Sequence, residues 1–235
     1  MPGATIQIFL PDGNPRGLRL AEITSRTVQV LGFPRSELKE KAMVREELSL
    51  PAVYFLIGAN PTTEQPVVYV GQAEAAGRRI GQHDAKKDWW EVALVAVSKT
   101  NHFNPGHIKY LEWFCHSEIA KAARYALDNE QQPTRPTVSE SLQADLEGDF
   151  ETIRTLAGTL GYPLFDRVGA VTARHPTVTL RNRGADARGR FGEDGLVVLE
   201  GSRGPAELTR SARGGFIETA RTRLLNAGAI RVEGK

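Results

Sequence analysis

Residues 53–83 read VYFLIGANPTTEQPVVYVGQAEAAGRRIGQH. Two short apolar runs, each with one tyrosine near its centre (Tyr54 and Tyr69), flank the polar loop GANPTTEQP. The pattern predicts strands at 52–57 and 67–70 joined as an antiparallel hairpin. Side chains alternate along a strand, so Tyr54 and Leu56 share one face while Val53, Phe55 and Ile57 take the other; Tyr69 shares its face with Val67. A short helix is expected at 73–83, where Arg79 and His83 stand one turn apart on the same side. A guanidinium recognises phosphate through paired hydrogen bonds, and an imidazole beside it can hold a water or relay a proton. Taken singly, strand tyrosines are packing residues and Arg-x-x-x-His is a solvated helix turn. The grouping is what points to chemistry.

Working outward, TIQIFL and GLRLAEI flank the turn-forming PDGNPR, RTVQVLGF reads as a third strand, and PRSELKEKAMVREEL reads as a helix. Together they form a small β-rich N-terminal subdomain over 1–48. Beyond the hairpin, VALVAVS (92–98) is a strand of central type, and a long helix is expected over 107–129. On that helix Ile108, Glu112, Cys115, Ile119, Ala122 and Ala126 recur at helical spacing and form one core-facing stripe. A carboxylate inside such a stripe is costly unless it is paired, hydrogen-bonded or bound to a metal. Glu112 therefore reaches solvent at the stripe's edge, meets an arginine, or works in a site. EQQPTRPTVSE is a linker with two prolines, and 139–160 is an amphipathic helix with Ser139 and Ser141 as candidate caps. The resulting organisation is 1–48, a central domain at 49–135, a linker and helix at 136–168, and a small α+β part at 169–235.

That last part carries twelve Arg and Lys against seven Asp and Glu, although the 235-residue chain has a formal net charge of only +2. Any electrostatic footprint for a polyanion is therefore local. Arg174, Arg181, Arg183, Arg188, Arg190, Arg203, Arg210 and Arg213 are either phosphate contacts or a solvated face balanced by nearby acids. The single cysteine, Cys115, excludes an intramolecular disulfide and suits a reducing compartment. There is no apolar run of membrane-spanning length and no basic-then-apolar leader, so a cytoplasmic protein without membrane partners is expected. Trp89 and Trp90 either stack on bases or cap a core. His107 serves a site or only its own loop.

The ordered set resembles the GIY-YIG nuclease domain over about residues 50–135. Ala52-Val53-Tyr54 corresponds to the first motif, Tyr69-Val70-Gly71 to the second, Arg79 to the arginine after the second motif, and Glu112 to the helix glutamate. His83 corresponds to the arginine-plus-histidine variant of restriction-type members, and Asn129 to the polar residue that follows the glutamate helix. Ala52 replaces the family's first glycine, and Gln72 stands where some members carry a lysine. The flanks, above all GADARGRFGEDGLVVLEGS, resemble those of a bacterial subgroup whose tail is a domain of unknown function. The resemblance implies an α+β fold with a three-stranded antiparallel sheet flanked by helices. It also implies hydrolysis of DNA phosphodiester bonds, with RNA left open as a substrate, and one Mg²⁺ or Mn²⁺ held by Glu112. Tyr69 would act as base, assisted by Tyr54 or His83, and Arg79 would stabilise the transition state. The alternatives are a non-cleaving nucleic-acid binding module that keeps the fold, and a structural or regulatory protein whose tail binds a protein.

Overall fold

The computed structural model describes residues 3–63, 65–167, 169, 176–182, 184–192, 195–213 and 215–232. Among the described residues the chain is mixed α and β, with one seven-stranded and one three-stranded sheet. It divides into two compact units. The first runs to Pro61 and from Gln65 to Arg167; the second holds Thr62, Thr63 and the described residues after Arg167.

In the first unit, β1 (Ile6–Phe9), β2 (Arg19–Ile23), β3 (Val28–Pro34), β4 (Ala52–Ala59), β5 (Pro66–Ala73), β6 (Trp90–Ser98) and β7 (Ala126–Leu127) form one sheet in the order β1-β2-β3-β6-β4-β5-β7. The expected three-stranded sheet is thus the middle of a wider one, and the boundary expected at residue 48 falls inside a single unit. The reason is register. β3 pairs with β6 along its whole length, from Val28↔Ser98 to Pro34↔Val92, and β6 pairs in turn with β4. Val30, Leu31 and Phe33 are all fully buried, so β3 is covered on both faces, which only an interior strand can be.

Two layers cover the sheet. One face presents Val53, Phe55, Val70, Leu94 and Ala96 to α2 (Pro105–Ala122) and α3 (Glu140–Thr159), through Ile108, Leu111, Cys115, Leu146, Phe150 and Ile153. The other presents Leu31, Phe33, Tyr54, Leu56, Trp90 and Val95 to α1 (Ala76–Asp84) and to the irregular segment after β3. Each fully buried Phe or Leu contributes about 1.5–3 kcal/mol. No helix among the described residues is long and apolar enough to cross a membrane.

Two expected helices differ in the structure. Residues 34–48 form separate turns, Arg35–Glu37, Leu38–Ala42 and Glu46–Ser49, in place of one helix. Leu38, Ala42 and Leu48 are all buried, and their spacings of four and six cannot share one face of a straight helix. Glu37 is also diverted, its carboxylate accepting from the Leu18 N–H at 2.8 Å and from Lys41 at 3.0 Å. The helix expected over 107–129 begins at Pro105, because Asn104 Oδ1 accepts from the Gly106 and His107 N–H groups. It stops at Ala122, because Ala123 adopts a left-handed conformation (φ 54°) and Ala126–Leu127 leaves to pair in parallel with Val67–Val68 of β5. The 139–160 helix forms as α3 with Ser139, not Ser141, accepting from the Leu142 N–H.

In the second unit, β8 (Thr177–Asn182), β9 (Ala185–Gly192) and β10 (Gly195–Val198) form an antiparallel sheet in the order β10-β9-β8, and α4 spans Phe216–Asn226. Arg174 and Arg183 lie outside the described residues.

At Gly58 an added Cβ would stand 2.1 Å from the Trp89 carbonyl oxygen, whereas nothing lies within 4 Å of one at Gly148 in α3. Gly58→Ala is therefore expected to lower the unfolding free energy by about 1–3 kcal/mol. Gly148→Ala is expected to raise it by about 0.5–1 kcal/mol. Urea denaturation of the two variants checks the pair.

Candidate functional site

The register of β4 against β5 sets Tyr54 opposite Gly71 and Leu56 opposite Tyr69, so both phenols emerge on the α1 side. Gly71 is what lets them meet. A Cβ there would lie 2.4 Å from the Tyr54 hydroxyl oxygen and 2.9 Å from Tyr69 Cε1. The two rings are 6.2 Å apart between centroids. α1 brings His83 against both, at 5.9 Å from Tyr54 and 4.7 Å from Tyr69. The Tyr54 hydroxyl and His83 Nε2 are hydrogen-bonded at 3.0 Å. Arg79, one turn earlier, is exposed; its Nη1 donates to Gln82 Oε1 at 2.9 Å.

Burial raises the Tyr54 phenol well above its ordinary range. The neighbouring Tyr69 adds to that, and Arg79 acts against it. His83 is pushed down to about 4, first by burial and then by the positive charges of Arg79, Lys87 and Lys86, with Asp128 opposing. At neutral pH both groups are uncharged, and their bond joins a phenol to a neutral imidazole.

Glu112 comes from the other side of the sheet. α2 lies over the opposite face, and Glu112 is half-buried where it meets the β5 edge. Burial raises its carboxyl above the usual range, while Lys109, the Gln72 backbone and Arg79 pull it down. Glu112 thus looks onto Gln72 and shares the field of Arg79, while Tyr54 and Tyr69 touch the adjacent Gly71. Tyr54, Tyr69 and His83 are thus in contact beside Gly71, Glu112 meets the next residue, Gln72, and Arg79 bears electrostatically on Tyr54, His83 and Glu112.

Asn129 completes the same edge in another way. Its Oδ1 accepts from the Val70 N–H at 3.1 Å and its Nδ2 donates to the Val70 carbonyl at 2.8 Å. Both amide atoms are occupied by β5 backbone, so Asn129 acts as a splint rather than as a group facing a substrate.

Sequence reasoning missed Lys87. Its ammonium lies 4.9 Å from the centre of the Tyr69 ring and 5.8 Å from that of Trp89, and it is paired with Asp128. It supplies a positive group beside Tyr69, where Gln72 brings none. A basic residue just past an Arg-x-x-x-His turn was the available signal. Trp90 is a core residue, 1% exposed, with the Arg35 guanidinium 5.1 Å from its ring. His107 serves its loop, its Nε2 standing 3.1 Å from Asn104 Nδ2.

Among the described residues no three His, Cys, Asp or Glu side chains are grouped to hold a metal. The lone Glu112 carboxylate does not suit a cation enclosed by protein ligands. It does suit a hard cation such as Mg²⁺, which keeps several waters and binds through one or two carboxylates and substrate phosphate. Comparison of the chain with protein-family models, with curated proteins and with solved structures gives no match.

The His83 environment fixes a pH dependence. Its folded value of about 4 lies below the ordinary 6.5, so the fold favours the neutral ring. The stability tied to that ring is complete above about pH 6.5 and is lost as pH falls towards 4. Urea unfolding at pH 7 and pH 4.5 is expected to show a drop to which His83 contributes up to about 3 kcal/mol. His83→Gln, which can still bond Tyr54, is expected to shrink that drop. An unchanged drop would mean that His83 is not held neutral.

Proposed function

We propose that the chain is a metal-dependent DNA endonuclease of the GIY-YIG kind. The resemblance applies to β4, β5, α1, β6 and α2. The observation that supports it most is the contact of two phenols and an imidazole beside Gly71, with the half-buried Glu112 carboxylate at the adjoining Gln72 and Arg79 acting electrostatically on both groups.

The roles divide by environment. Tyr54 is fully buried and hard to ionise, so it positions and does not act as base. Its bond to neutral His83 fixes the hydroxyl. Tyr69 is half-buried and has Lys87 over its ring. With its own proton released to solvent, Tyr69 as phenolate accepts the proton of the attacking water, whose oxygen forms the new bond to phosphorus as the bond from phosphorus to the 3′ oxygen breaks and that oxygen takes a proton from solvent. Arg79, exposed and always charged, binds the phosphate and stabilises its five-coordinate transition state, a contribution of about 3–4 kcal/mol at a preorganised site. Glu112 would hold Mg²⁺ or Mn²⁺, which when bound supplies neutralisation of charge on the phosphate and on the leaving oxygen.

Supercoiled plasmid with Mg²⁺ tests the reading. The wild-type protein is expected to nick it, and a chelator to stop the reaction. Tyr69→Phe, Arg79→Ala and Glu112→Ala are each expected to slow nicking by about 10²–10³-fold. Wild-type protein that retards the plasmid without cutting it would make the chain a binding module. Glu112→Ala protein that nicks at the wild-type rate would remove the metal role from Glu112.

A further inference from the structure

The sheet of the second unit has two unlike faces. Residues opposite one another across strands share a face, as do residues two apart along a strand. Gly189 opposes Val178 on one side and Val198 on the other, Leu180 opposes Ala187, and Phe191 opposes Leu196. All of these lie on one side, which is apolar. On the other side Arg190 opposes Thr177 and Val197, Thr179 opposes Arg188, and Arg181 opposes Asp186. Arg203 bridges to Asp186 from beyond β10 and joins this second face. Among the described residues, that face carries four guanidiniums and one carboxylate.

Among the described residues, these arginines are presented rather than neutralised. Asp186 meets Arg181 at 3.4 Å, with side chains 63% and 79% exposed respectively. No described carboxylate forms an ion pair with Arg188, Arg190 or Arg203. Arg190 Nε donates to Thr177 Oγ1 across the strand at 3.2 Å, which orients the fork without cancelling its charge. Ser202 Oγ accepts from the Arg188 N–H at 3.0 Å and pins the segment bearing Arg203 alongside β9. Strand geometry spaces Arg188 and Arg190 about 6.8 Å apart along β9, with neighbouring strands about 4.8 Å away.

We propose that this arginine face is a docking surface for the phosphate backbone of duplex DNA. Guanidinium forks match phosphate oxygens, and four of them on a rigid sheet present a polyanion site. The described residues of the face include no aromatic side chain, whereas single-stranded nucleic acid is held largely by base stacking. Its apolar residues lie almost wholly on the reverse side, whereas a membrane-seated surface needs both characters together at one interface. The choice of DNA as the duplex rests on the nuclease reading.

The test measures affinity of the full chain for a short labelled DNA duplex between about 50 and 200 mM salt. Arg181→Gln/Arg188→Gln/Arg190→Gln is expected to flatten the plot of log affinity against log salt by about 0.9 per arginine removed. The matching triple lysine variant should keep most of the slope, and Arg210→Gln/Arg213→Gln should leave it near wild type. If the triple variant melts early, Arg188→Gln alone, at an exposed position, should give about one third of the effect. A wild-type slope in the glutamine variants overturns the proposal, as does an equal loss in the Arg210/Arg213 control. So does a loss confined to single-stranded RNA or to phosphatidylglycerol vesicles used as parallel probes. Plasmid nicking by the same preparations separates the two readings. Cutting with an unchanged slope removes only the arginine face; a flattened slope without any cutting removes only the nuclease.

Discussion

The backbone of β5 must be satisfied on its open side, and the site follows from how that is done. A strand with a free edge leaves alternate N–H and C=O groups unpaired. On β5 the outward positions are Val68, Val70 and Gln72, and each is met differently. The Val68 carbonyl accepts from the Asp128 N–H at 2.9 Å beside the short β7 pairing. Val70 is bonded at both its N–H and its carbonyl by the Asn129 side chain. Gln72 faces Glu112 of α2. One chain segment and one helix thus close the edge together, and closing it brings the Glu112 carboxylate to Gln72, the residue after Gly71.

The second constraint lies under the sheet. Tyr54 is a polar-tipped ring with no exposed surface, in a layer otherwise built from Leu31, Phe33, Leu56 and Val95. Its hydroxyl is tolerable there because His83 meets it at 3.0 Å and because Gly71 leaves space for it. The same burial that makes Tyr54 reluctant to ionise makes His83 reluctant to protonate. The pair is neutral and unsuited to taking a proton, which is why the proposed mechanism gives that task to Tyr69, half-buried beside Lys87.

Most of the first unit's strands could be read from apolar runs, because β3, β4 and β6 are covered on both faces and show it in nearly continuous hydrophobicity. What periodicity could not reveal was adjacency: nothing in VQVLGF names β6 as its partner, so a seven-stranded sheet looked like a hairpin domain with a separate N-terminal piece. The helix ends failed for tertiary reasons. Leu48 is pulled into the core against helical spacing, and Ala126–Leu127 is taken by the β5 edge despite lying in a helix-forming run. Tyr54, Tyr69 and His83 were legible as a group because their residue types fit poorly with simple packing, and their rings do meet; Arg79 and Glu112 bear on them electrostatically. Asn129 was legible only as a polar residue after the helix, since its bonds depend on β7. Lys87 went unnoticed because its position over Tyr69 arises from the turn after α1, and the separation of arginine from apolar side chains in β8–β10 depends on strand register.

The central claim is that Glu112, Tyr69 and Arg79 serve one cation-and-phosphate site at the end of β5. The anomalous scattering of a crystal grown with Mn²⁺ tests it most directly. The account predicts a peak about 2.1 Å from a Glu112 carboxylate oxygen, on the side of Arg79 and Tyr69. A peak held by other residues in crystals of protein that cuts DNA, with Glu112 left unliganded, would contradict it.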